Sequence, residues 1–475
     1  MIHPEWATKY KTKNTELRLI RGHYYLYKIT SVWDPEKKRT KKVTLESLGT
    51  ITQAYGLIPK GMSKKGPPAK GTSPLKYASE KSGFLDSFGA IDDPRSNRNQ
   101  LHNIEEILLL TLCAVICGAE GWQDIEDYGK AKLHLLRQYF DYNNGIPSDD
   151  TIRRFYRAID PSAFEKMFKE WVQGLANITQ TKVIAIGAEQ SVTLPESSPQ
   201  DLGNDQVIAI DGKSSRRSFD GNGNMLHMVS AFATEARIIL GQEKVVDRSN
   251  EITAIPKLLH WLDIKDHIIT IDAMGCQYAL ADLIVSKGGD YIFSLKGNQG
   301  SLSSDAQLYF EDADIPKPQS YTSYDKGHGR IETRECWVVT DVEWLKKLHP
   351  KWGTIKSIIM VKSTREVKIK GKTKITTENR YYVSSLTLPA TRILKAIRSH
   401  WAIENTLHWV LDMSFNEDYS RIRKENAPHI MAIFRHIALN LLQAAKKERQ
   451  SVKGLRKLCG WDDGSLQNVL ASKSS

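Results

Sequence analysis

Two short apolar runs, each ended by an aspartate, are the clearest pattern along the chain. Residues 207–211 read VIAID and residues 268–272 read IITID. A run of four apolar residues rich in Ile is typical of a strand that is buried on both faces. The pattern therefore predicts two buried strands, each of which delivers a carboxylate (Asp211 and Asp272) at its C-terminal tip.

The hydrophobic pattern changes several times along the rest of the chain. Residues 15–55 are aromatic and β-branched and predict strands, whereas apolar positions at helical spacing predict helices over 85–175. Strand and helix alternate from 207 to about 300, residues 305–390 are β-rich, and the chain from Thr391 onward is mostly helical. The fold class is therefore α/β, with several parts.

Stretches rich in Gly, Pro and Ser mark two linkers and so divide the chain. A chain of 475 residues is too long for one ordinary domain. The predicted parts are a basic β segment, a linker, a helical domain, a second linker, an α/β domain and a C-terminal tail. Their bounds are 1–58, 59–84, 85–175, 176–206, 207–450 and 451–475.

A predicted basic helix follows a tight turn inside the helical part. Ser148 or Asp149 can cap a helix that carries Arg153, Arg154 and Arg157 in its first turns. This helix is either the reading helix of a helix-turn-helix motif or an ordinary surface helix of a bundle. The sequence leaves both readings open.

A third carboxylate, Glu404, falls on a predicted amphipathic helix. The residues at helical spacing are Ile393, Ile397, Trp401, Glu404, Leu407 and Leu411. Glu404 is therefore expected on the apolar face, where an unpaired carboxylate costs several kcal/mol. A metal ion shared with Asp211 and Asp272 removes that cost. His400 and His408, four residues before and after Glu404, either contact phosphate or hold the carboxylate.

Net charge favours an anionic partner. The chain carries +12, and residues 1–70 hold 15 Lys or Arg against five Asp or Glu. The N-terminal segment, which includes Lys41 and Lys42, is either a nucleic-acid clamp or a solvated basic segment. The five cysteines form no CxxC pair, and the first twenty residues are polar, so a cytoplasmic protein is expected. The sequence holds no GxxxxGK[ST] loop, which argues against a nucleotide cofactor.

Two strand-borne aspartates and a glutamate form an oxygen-only donor set, which suits Mg²⁺ or Mn²⁺. An aspartate at a strand end is also a common cap or turn former. The repeated left context of Asp211 and Asp272 favours a site over that reading. Asp412, Glu417 and Asp418 are competing acids, but their sequence context predicts more exposure.

Several ordered motifs carry a resemblance to a known family. They are VIAIDGK at 207–213, SNEI at 249–252, ITIDAMGCQ at 269–277, DYIFSLKGNQ at 290–299, HWAIEN at 400–405 and LHW at 407–409. With these motifs the chain resembles the DDE transposases of bacterial insertion sequences, most of all the group that contains the H-repeat-associated proteins. The resemblance covers roughly residues 85–445, and residues 85–175 resemble the associated N-terminal domain of that group.

The resemblance implies an RNase H-like catalytic core with a β-rich insertion at about 305–390, before the last acidic helix. Asp211, Asp272 and Glu404 would be the catalytic residues and the ligands of two Mg²⁺ or Mn²⁺ ions. The implied reaction is cleavage of element ends and strand transfer into target DNA. The implied partners are double-stranded DNA, comprising the terminal repeats and the target, and a second copy of the chain.

Candidate DNA contacts follow from position and charge. They are Lys213, Lys296, Asn298 and Gln299 after strand ends, His400 beside Glu404, and the basic residues Arg153, Arg154, Lys41 and Lys42. A related transposase group carries Tyr-x2-Arg-x3-Glu-x6-Lys around its glutamate. Here those positions hold Ile397, His400, Glu404 and Leu411, so only the glutamate carries over, and His400 is the candidate replacement for the arginine.

Two other functions remain open at this stage. A nuclease of the same fold, without strand transfer, would keep all three acids. A non-catalytic DNA-binding protein of a decayed element would need none of them.

Overall fold

The computed structural model describes residues 4–20, 23–34, 39–52, 56–59, 88–89, 91–95, 100–172, 206–219, 223–245, 251–327, 329–369 and 372–472. The two predicted linkers lie almost entirely outside these residues. The chain divides into two compact units, one of residues 1–76 with 95–101 and one of residues 77–94 with 102–475.

The first unit is an antiparallel sheet. Its described elements are α1 (Glu5–Thr8), β1 (Thr15–Ile20), β2 (His23–Asp34), β3 (Arg39–Thr52) and β4 (Gly56–Pro59), with the strands in sequence order. Ala7, Leu17, Leu26 and Ile51 form its small core. The β pattern predicted for residues 15–55 is confirmed over the described parts of that range.

The second unit contains one large mixed sheet. Among the described residues its strands are β5 (Val207–Phe219), β6 (Met225–Ala233), β7 (Ile238–Lys244), β8 (Ile268–Ile271), β9 (Asp290–Leu295), β10 (Tyr321–Gly327), β11 (Arg330–Val339), β12 (Ser357–Ile369) and β13 (Lys372–Ser384). Their order is β10-β11-β12-β13-β9-β8-β5-β6-β7. The β5–β8 and β8–β9 pairs are parallel, and the other neighbours are antiparallel.

The two predicted buried strands lie side by side in the middle of this sheet. β5 pairs with β8 in parallel from Val207–Ile268 to Ile210–Ile271, so Asp211 and Asp272 come next at the same level of the sheet. The prediction that Asp211 ends its strand is wrong, because β5 continues to Phe219 by pairing with β6. Asp211 instead marks the point at which β5 leaves its parallel partner.

Helices cover both faces of the sheet. The described helices of this unit are α2 (Ile104–Cys117), α3 (Trp122–Leu136), α4 (Asp149–Ala158), α5 (161–172), α6 (Glu251–Trp261), α7 (Tyr278–Ser286), α8 (Gly300–Glu311), α9 (Glu343–Leu348), α10 (Ala390–Ala402), α11 (Trp409–Phe415), α12 (Ala427–Ala445), α13 (Val452–Trp461) and α14 (Asp463–Ala471). None of the helices within the described ranges is long and apolar enough to cross a bilayer.

The predicted helical domain does not have a core of its own. Its helices α2 to α5 share one hydrophobic core with α11 to α14, because nearly every residue of α12 from Ala427 to Leu442 is buried. The expected C-terminal tail is instead the pair α13 and α14, which contributes Leu455 and Leu466 to that core. Arg456 of α13 donates hydrogen bonds to two carbonyls at the end of α2, 2.7 Å and 3.3 Å away.

A buried ion pair anchors α12 to the chain that follows α11. Arg435 and Glu417 are 4% and 3% exposed, and their charged atoms are 3.3 Å apart. Arg435 also donates to the hydroxyl of Ser420 at 2.9 Å. The expectation that Glu417 is exposed is therefore wrong: its side chain faces the core, where Arg435 is its partner.

Replacement of Arg435 by Ala should lower the free energy of unfolding by about 3–5 kcal/mol, because it leaves the Glu417 carboxylate buried without a partner. Urea denaturation measures this. Lys346→Ala is the control, because Lys346 pairs with Glu343, whose side chain is 70% exposed, and such a pair is worth less than about 1 kcal/mol. Equal losses of unfolding free energy in the two variants would show that the Arg435–Glu417 pair does not stabilise the fold more than an exposed pair.

Candidate active site

Asp211 is a largely buried carboxylate with little direct compensation of its charge. Its side chain is 19% exposed, and its Oδ1 accepts a hydrogen bond of 2.9 Å from the N–H of Gly212. Burial raises the pKa of Asp211 to about 7; the Gly212 hydrogen bond opposes this rise, and the nearby charges of Asp272, Glu251 and Glu404 add to it. Three neighbouring carboxylates therefore act on Asp211.

Asp272 is held by a tight turn at the end of β8. Its Oδ1 accepts hydrogen bonds from the N–H groups of Met274 at 3.0 Å and Gly275 at 3.4 Å. It thereby caps the short 3₁₀ turn Ala273–Gly275. The carboxylate keeps its second oxygen for other contacts.

Asn298 and Gln299 hold this turn from the neighbouring loop. The Nδ2 of Asn298 donates to the carbonyl of Ala273, and the Nε2 of Gln299 donates to the carbonyl of Cys276 at 2.6 Å. Both residues follow β9, which is parallel to β8. We predicted them as DNA contacts, and the structure places their amides on the backbone of the Asp272 turn.

Glu404 lies on a π-helical turn, Ile403–His408, that joins α10 to α11. The expectation that Glu404 is buried on the apolar face is wrong: Glu404 is exposed, and Ile403 takes the buried position. The wider turn interrupts the α-helical spacing from which the stripe was read, and π-turns are frequent at functional sites. The exposure leaves the Glu404 carboxylate available to a ligand.

His400 and His408 tie this helix to both acid-bearing strands. His400 Nδ1 lies 3.0 Å from the hydroxyl of Thr270 on β8, and His408 Nδ1 lies 3.5 Å from Asp211 Oδ2. Burial lowers the pKa of both imidazoles, to about 3 for His408. A neutral ring at 3.5 Å compensates little of the Asp211 charge. Along the chain, Glu404 lies midway between the two histidines.

Lys213 is engaged within the protein. Its Nζ lies 2.7 Å from Asp412 and 3.4 Å from Asp418, and its side chain is 13% exposed. Because side chains two residues apart on a strand share a face, Lys213 lies on the same side of β5 as Asp211. Its charge is nevertheless directed to the helices that follow Glu404.

A hydrogen-bonded pair that we did not predict supports the other face of β5. His227 on β6 lies between Ser214, 2.6 Å from its Nδ1, and Glu251, 2.6 Å from its Nε2. Glu251 begins α6. The sequence signal was the SNEI motif at 249–252, which contains this glutamate.

The carboxylates match a hard divalent cation in donor type but are not gathered around one. Within the described ranges, no three His, Cys, Asp or Glu side chains stand close enough together to enclose a metal ion. The donor chemistry nevertheless fits, because Asp211, Asp272 and Glu404 offer oxygen donors. The mutual repulsion of these carboxylates is what a divalent cation would relieve.

The remaining predicted DNA contacts are basic side chains. Lys296 is exposed at the end of β9, and Lys42 is exposed on β3 of the first unit. The backbone of Lys41 also lies in β3, and its side chain is outside the described part of the structure. Arg153 and Arg154 are exposed on α4, and both bond to Asp150.

The α4 helix itself is packed into the bundle. The Ser148 hydroxyl caps it by accepting from the N–H of Thr151 at 3.3 Å. Ile152, Phe155 and Tyr156 are buried. Its third arginine, Arg157, forms an ion pair with Glu425 at 2.6 Å, and the choice between a reading helix and a surface helix stays open.

Comparison with known proteins gives a consistent family. The model of the Transposase DDE domain matches residues 202–441, and the model described as DDE_Tnp_1-associated matches residues 85–172. "Putative transposase YncI" of Escherichia coli O157:H7 is 41% identical over 395 residues, which cover 82% of this chain and 95% of the relative. "H repeat-associated putative transposase YhhI" of Escherichia coli K12 is 39% identical over 393 residues, which cover 82% of this chain and 97% of the relative.

A solved structure also matches most of the chain, though at a low score. It is the piggyBac transposase synaptic complex with hairpin DNA, with a TM-score of 0.36 and 11% identity over 84% of this chain and 77% of that chain. That score is too low for the two folds to be equated.

Replacement of both Asn298 and Gln299 by Ala should loosen the Asp272 turn, because the carbonyls of Ala273 and Cys276 lose their amide partners. The amides of Met274 and Gly275 should then exchange hydrogen about tenfold faster, which corresponds to about 1.4 kcal/mol of lost protection. Hydrogen exchange with mass spectrometry of the peptide around residues 272–277 measures this. Gln307→Ala, which removes an exposed amide bonded to Glu311, should leave that peptide unchanged. Unchanged exchange in the double variant would show that the amides do not hold the turn.

Proposed function

The chain belongs to the DDE transposase family, and from that premise we propose that it cleaves DNA at the ends of an insertion sequence and joins those ends to target DNA. One observation carries the proposal: β5 and β8 place Asp211 and Asp272 at the same level of the sheet. Glu404 lies on a helix that His400 and His408 tie to those same strands. The three acids thus come from separate parts of the chain to one region.

Asp211, Asp272 and Glu404 would hold Mg²⁺ or Mn²⁺, with two ions expected, and the bound metal supplies activation of the attacking oxygen and charge stabilisation at the leaving oxygen. The protein itself positions the carboxylates that would hold the metal. Asn298 and Gln299 hold the Asp272 turn, and the neutral imidazoles of His400 and His408 orient the helix of Glu404. Such positioning supplies much of the rate in phosphoryl transfer.

We propose that strands β5 to β9 form an RNase H-like core. In its support, β5, β6 and β7 form an antiparallel meander, and β8 and β9 add in parallel on the other side of β5. Strands β10 to β13 extend the same sheet beyond β9. They come between β9 and α10 in the chain, and we propose that they are the predicted insertion.

A basic groove beside Glu404 is the proposed path of a DNA strand. It has a volume of about 830 Å³ and lies between β10–β13 and the helix that leads to Glu404. Its lining carries six cationic and three anionic side chains, and it includes Trp401, whose ring is 5.1 Å below the guanidinium of Arg380. The cationic residues are Lys326, Arg330, Arg334, Arg365, Arg380 and Arg398. A positive groove with an exposed aromatic ring suits phosphates and bases.

The basic sheet of the first unit is a second proposed DNA contact, through Lys42 among others. Joining two ends to one target also requires that two ends be held together. We therefore propose that two copies of the chain act on one DNA assembly.

The Asp272→Asn variant should lose metal-dependent cleavage and joining by about 1,000-fold or more, because removal of a metal-binding charge costs several kcal/mol in the transition state. The measurement uses labelled duplexes carrying the ends that flank the gene, both intact and pre-cut. Asp282→Asn, an exposed aspartate on α7, is the control and should keep wild-type activity.

The same assay separates the other candidate functions. Cleavage without joining of a pre-cut end would contradict the transposase proposal in favour of a nuclease. Binding of the duplex without any metal-dependent chemistry would leave only a DNA-binding protein.

Replacement of Arg365 or Arg398 by Ala should weaken DNA binding and lower the slope of log affinity against log salt by about 1 for each residue, because one phosphate contact is lost. Both side chains line the groove and are 50% and 44% exposed; Arg365 lies 4.0 Å from Glu332 and Arg398 lies 2.7 Å from Asp325, pairs that a phosphate would have to replace. Titration of a fluorescent duplex at several salt concentrations measures the slope. Lys166→Ala, an exposed cation on α5, should leave it unchanged, and an equal change there would contradict a specific role of the groove.

A further inference from the structure

We propose that helix α6 is a positioning element for the two aspartates, with Glu251 seated on Gly212 beside Asp211 and Ile255 seated on Gly275 beside Asp272. The inference rests on the proposed function, because it concerns the same site. Glu251 and Ile255 are four residues apart and therefore lie on one face of α6. Each contacts the backbone next to a different aspartate.

The contact at Gly212 leaves no space for a side chain. A Cβ added at Gly212 would lie 2.7 Å from the Glu251 Cδ and 2.8 Å from the His227 Nε2. Successive residues of a strand face opposite sides, so Gly212 presents this bare surface on the face opposite the Asp211 side chain. The Gly212 N–H also donates to Asp211 Oδ1. A shift of the Gly212 backbone would therefore move the N–H group that donates to the Asp211 carboxylate.

Glu251 is itself fixed in place. Its Oε1 lies 2.6 Å from His227 Nε2, and His227 Nδ1 lies 2.6 Å from the Ser214 hydroxyl. Ser214 and His227 are directly opposite each other in the β5–β6 ladder. The Glu251 and His227 side chains are 11% and 13% exposed. The chain of bonds locks the start of α6 to β5 and β6.

The contact at Gly275 is the counterpart one helical turn later. A Cβ added there would meet Ile271 Cγ2 of β8 first, and on the α6 side it would lie 3.1 Å from Ile255 Cδ1. The N–H of Gly275 donates to Asp272 Oδ1. At both places α6 thus contacts a glycine whose N–H donates a hydrogen bond to one of the two aspartates. The position of α6 therefore influences the distance between Asp211 and Asp272.

The test compares Glu251→Ala and Glu251→Gln with Glu165→Ala. Glu165 likewise lies beside a histidine, with 2.7 Å between its Oε1 and His429 Nε2 and a 15% exposed side chain, but this contact lacks hydrogen-bond geometry. It is the control for the loss of a glutamate beside a histidine. Glutamine at 251 still fills the space over Gly212, and its carbonyl oxygen can accept from His227.

Three readouts are taken: Mn²⁺ affinity from the rise in Tm with Mn²⁺, kcat and KM for cleavage, and hydrogen exchange at Gly212, Met274 and Gly275. Glu251→Ala should weaken Mn²⁺ binding and lower kcat by about 10–100-fold, with an unchanged KM for DNA and faster exchange at the three amides. Glu251→Gln should stay within about threefold of wild type, and Glu165→Ala should lower only Tm.

Three results would overturn the proposal. They are an unchanged Glu251→Ala variant, a Glu251→Gln variant as impaired as the alanine variant, and a Glu165→Ala variant with the same loss of Mn²⁺ affinity. Hydrogen exchange needs neither metal nor DNA. If wild type shows no metal-dependent chemistry, the proposed function fails, while the exchange rates still report whether α6 holds the backbone at Gly212 and Gly275.

Discussion

The placement of the buried Asp211 carboxylate beside Asp272, at one level of the sheet, is the constraint on which the structure around the site depends. Asp211 and Asp272 are neighbours because β5 and β8 run parallel and pair up to Ile210 and Ile271. Lys213, on the same face of β5 as Asp211, is bound by Asp412 and Asp418 instead. The surrounding helices and loops therefore hold the acids in place.

Contacts on both faces of the sheet keep these acids in position. On one face, His400 and His408 bring the helix of Glu404 onto β8 and β5. On the other face, the side chains of Glu251 and Ile255 on α6 lie against the backbone of Gly212 and Gly275. The histidines contact the Thr270 hydroxyl and the Asp211 carboxylate, and α6 contacts Gly212 and Gly275, which are one and three residues from an aspartate. Small shifts in these helices would consequently change the geometry of the acids, and with it the rate of reaction.

The sequence predicted the parts of this arrangement that depend on local pattern. The buried strands at 207 and 268 followed from their β-branched runs, and the helices before residue 175 followed from their spacing. The exposure of Glu404 was missed, because a π-helical turn has no distinct residue signature and breaks the spacing from which burial was read. The role of Glu251 was missed because its partner His227 is 24 residues away and becomes a neighbour only through the β5–β6 ladder and α6. The shared core of α2 to α5 with α12 is likewise a tertiary outcome.

The position of a bound metal ion would show most directly whether Asp211, Asp272 and Glu404 form one metal site. Crystals of the protein soaked in Mn²⁺ and measured at the manganese absorption edge would locate the ion by its anomalous scattering. We expect manganese in contact with oxygens of Asp211, Asp272 and Glu404. Manganese bound only elsewhere, or none at a concentration that supports DNA cleavage, would contradict it.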